Sequence, residues 1–238
     1  MKFNFHRLSK RPSKFFDLSP VWLFLVWLSF ILVSNEILAG EVSGHIKVLQ
    51  QSGGDWNPAQ DSTGVVVFVT GFDEKPLKEK AKIFLDQKDK AFVPRSMAIT
   101  VGDTVIFRNK DEIYHNTWSV SPTKAFDLGQ YKTPSEKTVT FEKPGLVSIF
   151  CNIHPQMMAS ILVLKNNKYF VTDSSGEFHI SGIPTGHHDL RVWAEGADPT
   201  VKPIDVTDSS KEKIDFTVKE ALRATNHLNK DGKPYERY

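Results

Sequence analysis

The chain has 238 residues, with 30 Lys/Arg against 28 Asp/Glu, and 40% of it is hydrophobic. That length allows one large or two small domains, and the near balance of charge lends no support to nucleic-acid binding. Its single cysteine, Cys151, excludes an internal disulfide.

The first segment reads as a leader. Lys2 to Lys14 carry five Lys/Arg and no acid, and Val21 to Val33 form an apolar run broken only by Ser29. With the small residues Ala39-Gly40 after it, this pattern predicts a secretory signal peptide over residues 1–40. The alternative is an uncleaved anchor. A spanning helix needs about 20 apolar residues, and here Ser34, Asn35 and Glu36 interrupt the run. These 40 residues hold five Lys/Arg and two Asp/Glu, so the remainder carries 25 basic and 26 acidic groups. The expected location is periplasmic or secreted, with no membrane association after cleavage.

Past the leader the texture is all-β. Short runs of Val, Ile, Phe and Thr alternate with Gly, Pro, Asp and Asn clusters about every ten residues, which suggests sandwiches. Val42 to Val48 and Gly64 to Thr70 read as strands, and Glu74 to Lys82 as a charged linker. Ala81 to Leu85, Ala98 to Val101, Asp103 to Arg108 and His115 to Val120 follow as strands. Pro122 to Pro134 reads as a polar loop holding Phe126, Leu128 and Tyr131. Lys137 to Phe141 and Leu146 to Phe150 bracket a Pro144-Gly145 turn, and Ser160 to Leu164 closes the sheet.

Chemistry concentrates in Ser148 to Leu164, SIFCNIHPQMMASILVL. Cys151, His154, Met157 and Met158 crowd thiolate, imidazole and thioether into one loop, a soft set that suits copper. Pro155 helps to fix such a loop. A second imidazole is available upstream, at His115-Asn116 in Gly102 to Ser119, GDTVIFRNKDEIYHNTWS. The bland role for a lone Cys is a small buried hydrophobe; the His and Met residues in register favour a ligand. His187-His188-Asp189 is a candidate second cluster, but adjacent strand residues point to opposite faces. His45 and His179 read as sheet-surface residues, and Trp118 and Trp193 as packing residues. Ala221 to Tyr238 is polar and reads as a frayed tail.

Gly102-Asp103, the alternating Val105 and Phe107, Asn109, His115-Asn116 and Cys151-x-x-His154-Pro155-x-Met157 together resemble the cupredoxin, or type 1 blue copper, family. The short spacing from His154 to Met157 is that of the amicyanin-like, methylamine-utilisation-type branch, not the longer plastocyanin-like one. The resemblance implies a Greek-key β-sandwich over residues 79–164 holding one type 1 copper ion. His115, Cys151, His154 and Met157 would be its ligands, with Met158 the rival for the axial place. Asn116 would tie the two ligand loops together near the thiolate.

The flanks carry a second resemblance. Thr172-Asp173-Ser174-Ser175-Gly176-x-Phe178, Ile183-Pro184-x-Gly186 and Leu190-Arg191-Val192 are similar to the carboxypeptidase regulatory-like, transthyretin-like β-sandwich. Its opening half would lie at 41–78 and its closing half at 165–219, with a polar tail at 220–238. His188 stands where an aromatic is usual, which predicts weaker local packing. Two arrangements remain open. The copper module is either inserted between the halves, as exposed loops permit, or in tandem, with 41–78 adding strands to it.

Taken together, these resemblances imply an exported one-electron carrier cycling Cu(II)/Cu(I). Its partners would be redox proteins, for example a c-type cytochrome or a dehydrogenase. No Ser/His/Asp set, paired acid or phosphate loop is recognisable, so the expectation is of a non-enzyme. The alternatives are a copper-delivery protein and a partner-binding sandwich in which copper is structural.

Overall fold

The computed structural model describes residues 39–74, 82–221 and 227–235. The leader up to residue 38, most of the expected linker (75–81), and residues 222–226 and 236–238 lie outside the described residues. Every helix-or-strand element among those described is a strand: β1 (Ala39–Ser52), β2 (Asp55–Pro58), β3 (Val66–Thr70), β4 (Ile83–Lys88), β5 (Ala91–Val93), β6 (Ser96–Thr100), β7 (Asp103–Asn109), β8 (His115–Ser121) and β9 (Lys124–Tyr131). There follow β10 (Glu136–Phe141), β11 (Gly145–Phe150), β12 (Met158–Leu164), β13 (Tyr169–Val171), β14 (Glu177–Pro184), β15 (Gly186–Trp193), β16 (Thr200–Val206), β17 (Lys211–Lys213) and β18 (Phe216–Glu220).

The strands form four sheets, and the outer pair draws on both ends of the chain. One sheet runs β14-β1-β17, with β18 and β2 also on β1; another runs β13-β3-β15-β16. Val42 lies opposite Ile180, and Val67 lies between Phe170 and Val192. The inner pair is β10-β7-β4-β5 and β6-β12-β11-β8-β9, all from residues 83–164.

Burial shows why two strands read as unbroken apolar runs. Val65, Val67 and Val69 face one core with Val42, Ile46, Leu190 and Val192. Val66 and Phe68 face the other way, onto Ala98, Leu162, Leu164 and Trp193. In β12, Ile161 and Val163 face a third cluster with Leu85, Val105, Phe107 and Ile149. A strand buried on both faces has no polar side to present, so the alternation disappears. The result is all-β: two sandwiches stacked back to back, with β3 and β12 in the facing inner layers.

Where the chain leaves the outer sandwich after β3 and re-enters it before β13, its two passing segments are pinned together. Glu74 N–H donates to the Lys165 carbonyl at 3.1 Å. Asn166, buried, sends its Nδ2 to the carbonyls of Val69 and Phe72 at 3.0 and 3.1 Å. A bidentate pair, Arg95 to Glu195 at 3.0 and 3.3 Å, adds a polar link between the two sandwiches.

Three expectations need correction. The polar loop expected at Pro122 to Pro134 is largely strand β9, antiparallel to β8. It is an edge strand that buries only one side, through Phe126, Leu128 and Tyr131, and its other side is polar enough to pass for a loop. His188 does not loosen its surroundings: it is buried, meets Phe72 edge-on at 5.0 Å, and its Nε2 lies 2.8 Å from the Pro184 carbonyl. The tail is not frayed over residues 227–235, which pack against the inner sandwich as described below.

Candidate metal centre

His115 opens β8, and Cys151 follows the last residue of β11. These strands are antiparallel neighbours, with Phe150 opposite Trp118, so both residues emerge at the same end of the sheet. β11 and β12 pair until Phe150 meets Met158, which leaves residues 151–157 as the connecting loop. The loop closes on itself: Cys151 N–H donates to the Met157 carbonyl at 3.2 Å, and Met157 N–H to the His154 carbonyl at 3.0 Å. That fold turns His154 back toward the cysteine.

Three donor atoms converge here. One atom each from His115, Cys151 and His154 lies within 4.8 Å of the others. The two Nδ1 atoms are 3.1 Å apart, and Cys151 Sγ is 3.9 Å from His154 Nδ1. His115 and Cys151 are fully buried, while His154 sits at the rim, partly exposed. Met157 is also fully buried, in the same apolar cluster as Cys151; Met158 is only half-buried at the start of β12. Among the two methionines, burial thus sets Met157 with the thiol.

The tautomer of His115 is set by Asp111, which the sequence reading did not single out. His115 Nε2 lies 2.7 Å from Asp111 Oδ2. A carboxylate accepts only, so Nε2 carries the proton and Nδ1 keeps its lone pair for the centre. The same carboxylate accepts from the backbone N–H of Asp89 at 2.8 Å and of Lys90 at 3.0 Å. Both turn residues have positive φ, 54° and 56°, which non-glycine residues seldom adopt unless they are held. Burial pushes the Asp111 pKa up, but the donors Lys90, His115 and Asp89 outweigh it and hold the carboxyl below its usual range. Burial, then His115 and Lys90, push the His154 imidazole below its usual pKa, against Asp111, which favours the neutral ring a metal needs.

Asn116 links the edge strand β9 to the metal loop within one sheet. Its Oδ1 accepts from Asn152 N–H at 3.2 Å, and its Nδ2 donates to Asp127 Oδ1 at 2.8 Å and to the Gly129 carbonyl at 3.0 Å. Its reach is thus to the residue after Cys151. Behind the cysteine, burial pushes the Tyr131 hydroxyl up to about 12, against hydrogen bonds with Thr117 and Gln87. His187 and His188 diverge as their neighbouring positions require: His187 is exposed beside Asp205, and His188 is buried.

The donor set fits a metal. A thiol and two imidazoles, with a thioether buried alongside, suit copper, and S/N ligands also suit zinc. The loop that positions three of these four residues is short, closed by its own backbone, and stands on strand ends. Such a base is more rigid than a free surface loop.

Residues 154–219 match the family model described as Carboxypeptidase regulatory-like domain. That match spans β12 to β18 except the last strand's final residue, so it covers the closing half of the outer sandwich and none of β1 or β3. No curated protein matches the chain. Among solved structures the chain is similar to a reduced amicyanin variant, at 24% identity over 35% of this chain and 82% of that one, with a TM-score of 0.33. It is similar to a purple cupredoxin from Nitrosopumilus maritimus, at 22% identity over 35% and 100%, with a TM-score of 0.32. A copper-containing nitrite reductase from Thermus scotoductus SA-01 aligns at 26% identity over 41% of this chain and 25% of that chain, with a TM-score of 0.35. The chain is thus similar to amicyanin and other cupredoxin-type structures over about a third of its length, and to the carboxypeptidase regulatory-like domain over residues 154–219.

Proposed function

We propose that this protein is an exported blue-copper electron carrier with one type 1 site. His115, Cys151 and His154 would hold the copper ion, with Met157 as a further, thioether ligand. Bound copper would supply one-electron chemistry between its two oxidation states. The observation that carries the reading is the convergence of two Nδ1 atoms on the buried Cys151 thiol, with Asp111 fixing the His115 tautomer.

The residues divide the work. His115 is buried and locked by the carboxylate, so it holds geometry. His154 reaches the rim beside the exposed Ile113 and Tyr114, which gives a partner an apolar surface next to a ligand. The strand ends and the loop's own hydrogen bonds hold these side chains in place, a pre-set arrangement that would limit rearrangement during electron transfer. The partners would be other redox proteins, such as a c-type cytochrome or a dehydrogenase, and the protein would carry electrons without transforming a substrate.

A visible spectrum of the copper-loaded mature chain tests this directly. The expected result is an intense band giving a blue colour, abolished in Cys151→Ser even if copper stays bound. A colourless wild type loaded with Cu(II) would remove the type 1 assignment. A site that accepts zinc alone would point to a structural role.

A further inference from the structure

The end of the chain returns to the metal loop. β18 finishes at Glu220 in the outer sandwich, yet residues 227–235 lie against the inner one. His227 N–H donates to the Pro155 carbonyl at 3.3 Å, Lys230 N–H to Asn152 Oδ1 at 2.8 Å, and Tyr235 O–H to the Cys151 carbonyl at 2.6 Å. Lys230 Nζ also pairs with Asp127 Oδ2 at 2.9 Å. Three of the seven loop residues are therefore gripped through their polar groups by one segment.

The segment is built for this. Asn229 Oδ1 accepts the N–H groups of Asp231 and Lys233 at 3.0 and 2.9 Å, and Asn229 N–H donates to the Lys233 carbonyl at 2.8 Å. Gly232, at φ 73°, lets the turn close. On one side of this turn the His227 ring packs 4.6 Å from Phe150 and 6.2 Å from Trp118, and edge-on to Tyr235 at 5.4 Å. A polar tail with its own organised turn, an aromatic wedge and three donors aimed at the metal loop, two of them at its backbone carbonyls, is more than a frayed end. It also joins an existing path: Asn152, held by Lys230, donates to Asn116, which sits beside His115.

We propose that residues 227–235 are a strap that completes the metal centre. It holds the Cys151–Met157 loop closed before metal arrives, with Tyr235 and His227 as positioning residues. The Tyr235 hydroxyl acts on the carbonyl of Cys151, and through it on the direction of the thiol. The His227 ring seals the flank of the loop at Phe150. The strap's existence rests on the contacts alone; its effect on copper rests also on the blue-copper reading above.

Two measurements on the full chain separate these. In the metal-free protein, the rate at which a thiol reagent modifies Cys151 reports how firmly the loop is closed. Loss of one hydrogen bond in Tyr235→Phe should raise that rate about threefold to tenfold, and truncation after Ala221 should raise it further. In the copper-loaded protein, the same variants should shift the visible band and the reduction potential. Should the truncated chain fail to fold, Tyr235→Phe combined with Lys230→Ala in the full-length protein takes its place. Thiol rates within about twofold of wild type in both variants, with only the melting temperature lowered, would overturn the strap as a positioning device. A colourless protein whose thiol rate still depends on Tyr235 would instead sink the copper reading and leave the strap standing.

Discussion

His115 Nε2 and Asp111 Oδ2 lie 2.7 Å apart, and this contact couples the metal end of the inner sandwich to a hairpin turn. Because the same carboxylate holds the Asp89 and Lys90 N–H groups, one residue serves both a strained turn and a ligand tautomer. Asp111→Asn should therefore weaken copper retention about tenfold to a hundredfold, as is usual when a ligand loses its outer partner. Competition against a chelator of known affinity measures it. Asp111→Ala should in addition lower the melting temperature, since it strands two backbone donors; an unchanged affinity in both variants would remove Asp111 from the centre.

Met157 and Met158 differ in burial, and this gives their roles a clean test. Met157→Leu conserves volume and should cost less than about 1.5 kcal/mol of stability, so the folded variant can be studied. Its reduction potential should rise with loss of the thioether, while Met158→Leu should leave the potential nearly unchanged. Voltammetry showing the opposite ranking would make Met158, not Met157, the thioether ligand.

The inner sandwich behaves in the fold as an insertion, because Glu74 and Lys165 are hydrogen-bonded where the chain leaves and returns. Excising residues 74–163 and joining the ends with a short linker should leave a folded β-domain. It should also self-associate, since Val66, Phe68, Tyr169 and Trp193 would lose their cover. Circular dichroism and light scattering test the two parts separately; an unfolded product would show that the outer sandwich depends on the inner one to fold.

Acid should loosen the strap. Burial pushes the Asp127 pKa up, but Gly129 N–H, the Lys230 ammonium and the Asn116 amide together hold it below its ordinary value of 3.8. A carboxyl depressed on docking contributes above that value and loses the contribution as pH falls through the lower one. The pair with Lys230 is largely exposed, so solvent screening keeps the effect small. Hydrogen exchange at the Lys230 amide should thus lose part of its protection below about pH 4, the ordinary Asp range, and Lys230→Ala should remove that part. Loosening that begins near pH 6 would assign the effect instead to the His227 ring, whose pKa burial pushes below its usual value.

Much of the centre was legible because its chemistry is local. Cys151, His154 and Met157 share one loop, and His115-Asn116 follows a strand whose alternation, Val105 and Phe107, is plain. What escaped notice depends on distance. Asp111 looks like any acid in a polar turn until the fold brings the turn at Asp89 beside it. β9 looks like a loop because an edge strand shows half its residues to water. The strap escaped because its contacts, Tyr235 with Cys151 and Lys230 with Asp127, join partners 84 and 103 positions apart, across the whole closing half of the outer sandwich. Its one readable sign was the Asn229 to Gly232 turn, NKDG, which is dense for a tail without structure.

The way the two sandwiches share the chain also bears on the order in which they are made. β1 and β3 must wait for β13 to β18, with roughly 100 residues between Thr70 and Tyr169 to be closed over as a loop. If the inner sandwich folds first, its hydrogen-bonded ends shrink that loop to a few residues. The saving in closure entropy is about 2–3 kcal/mol. The inner sandwich is then a clasp for the outer one during synthesis, and whatever stabilises it, a bound metal ion included, hastens assembly of a sheet that never touches the metal.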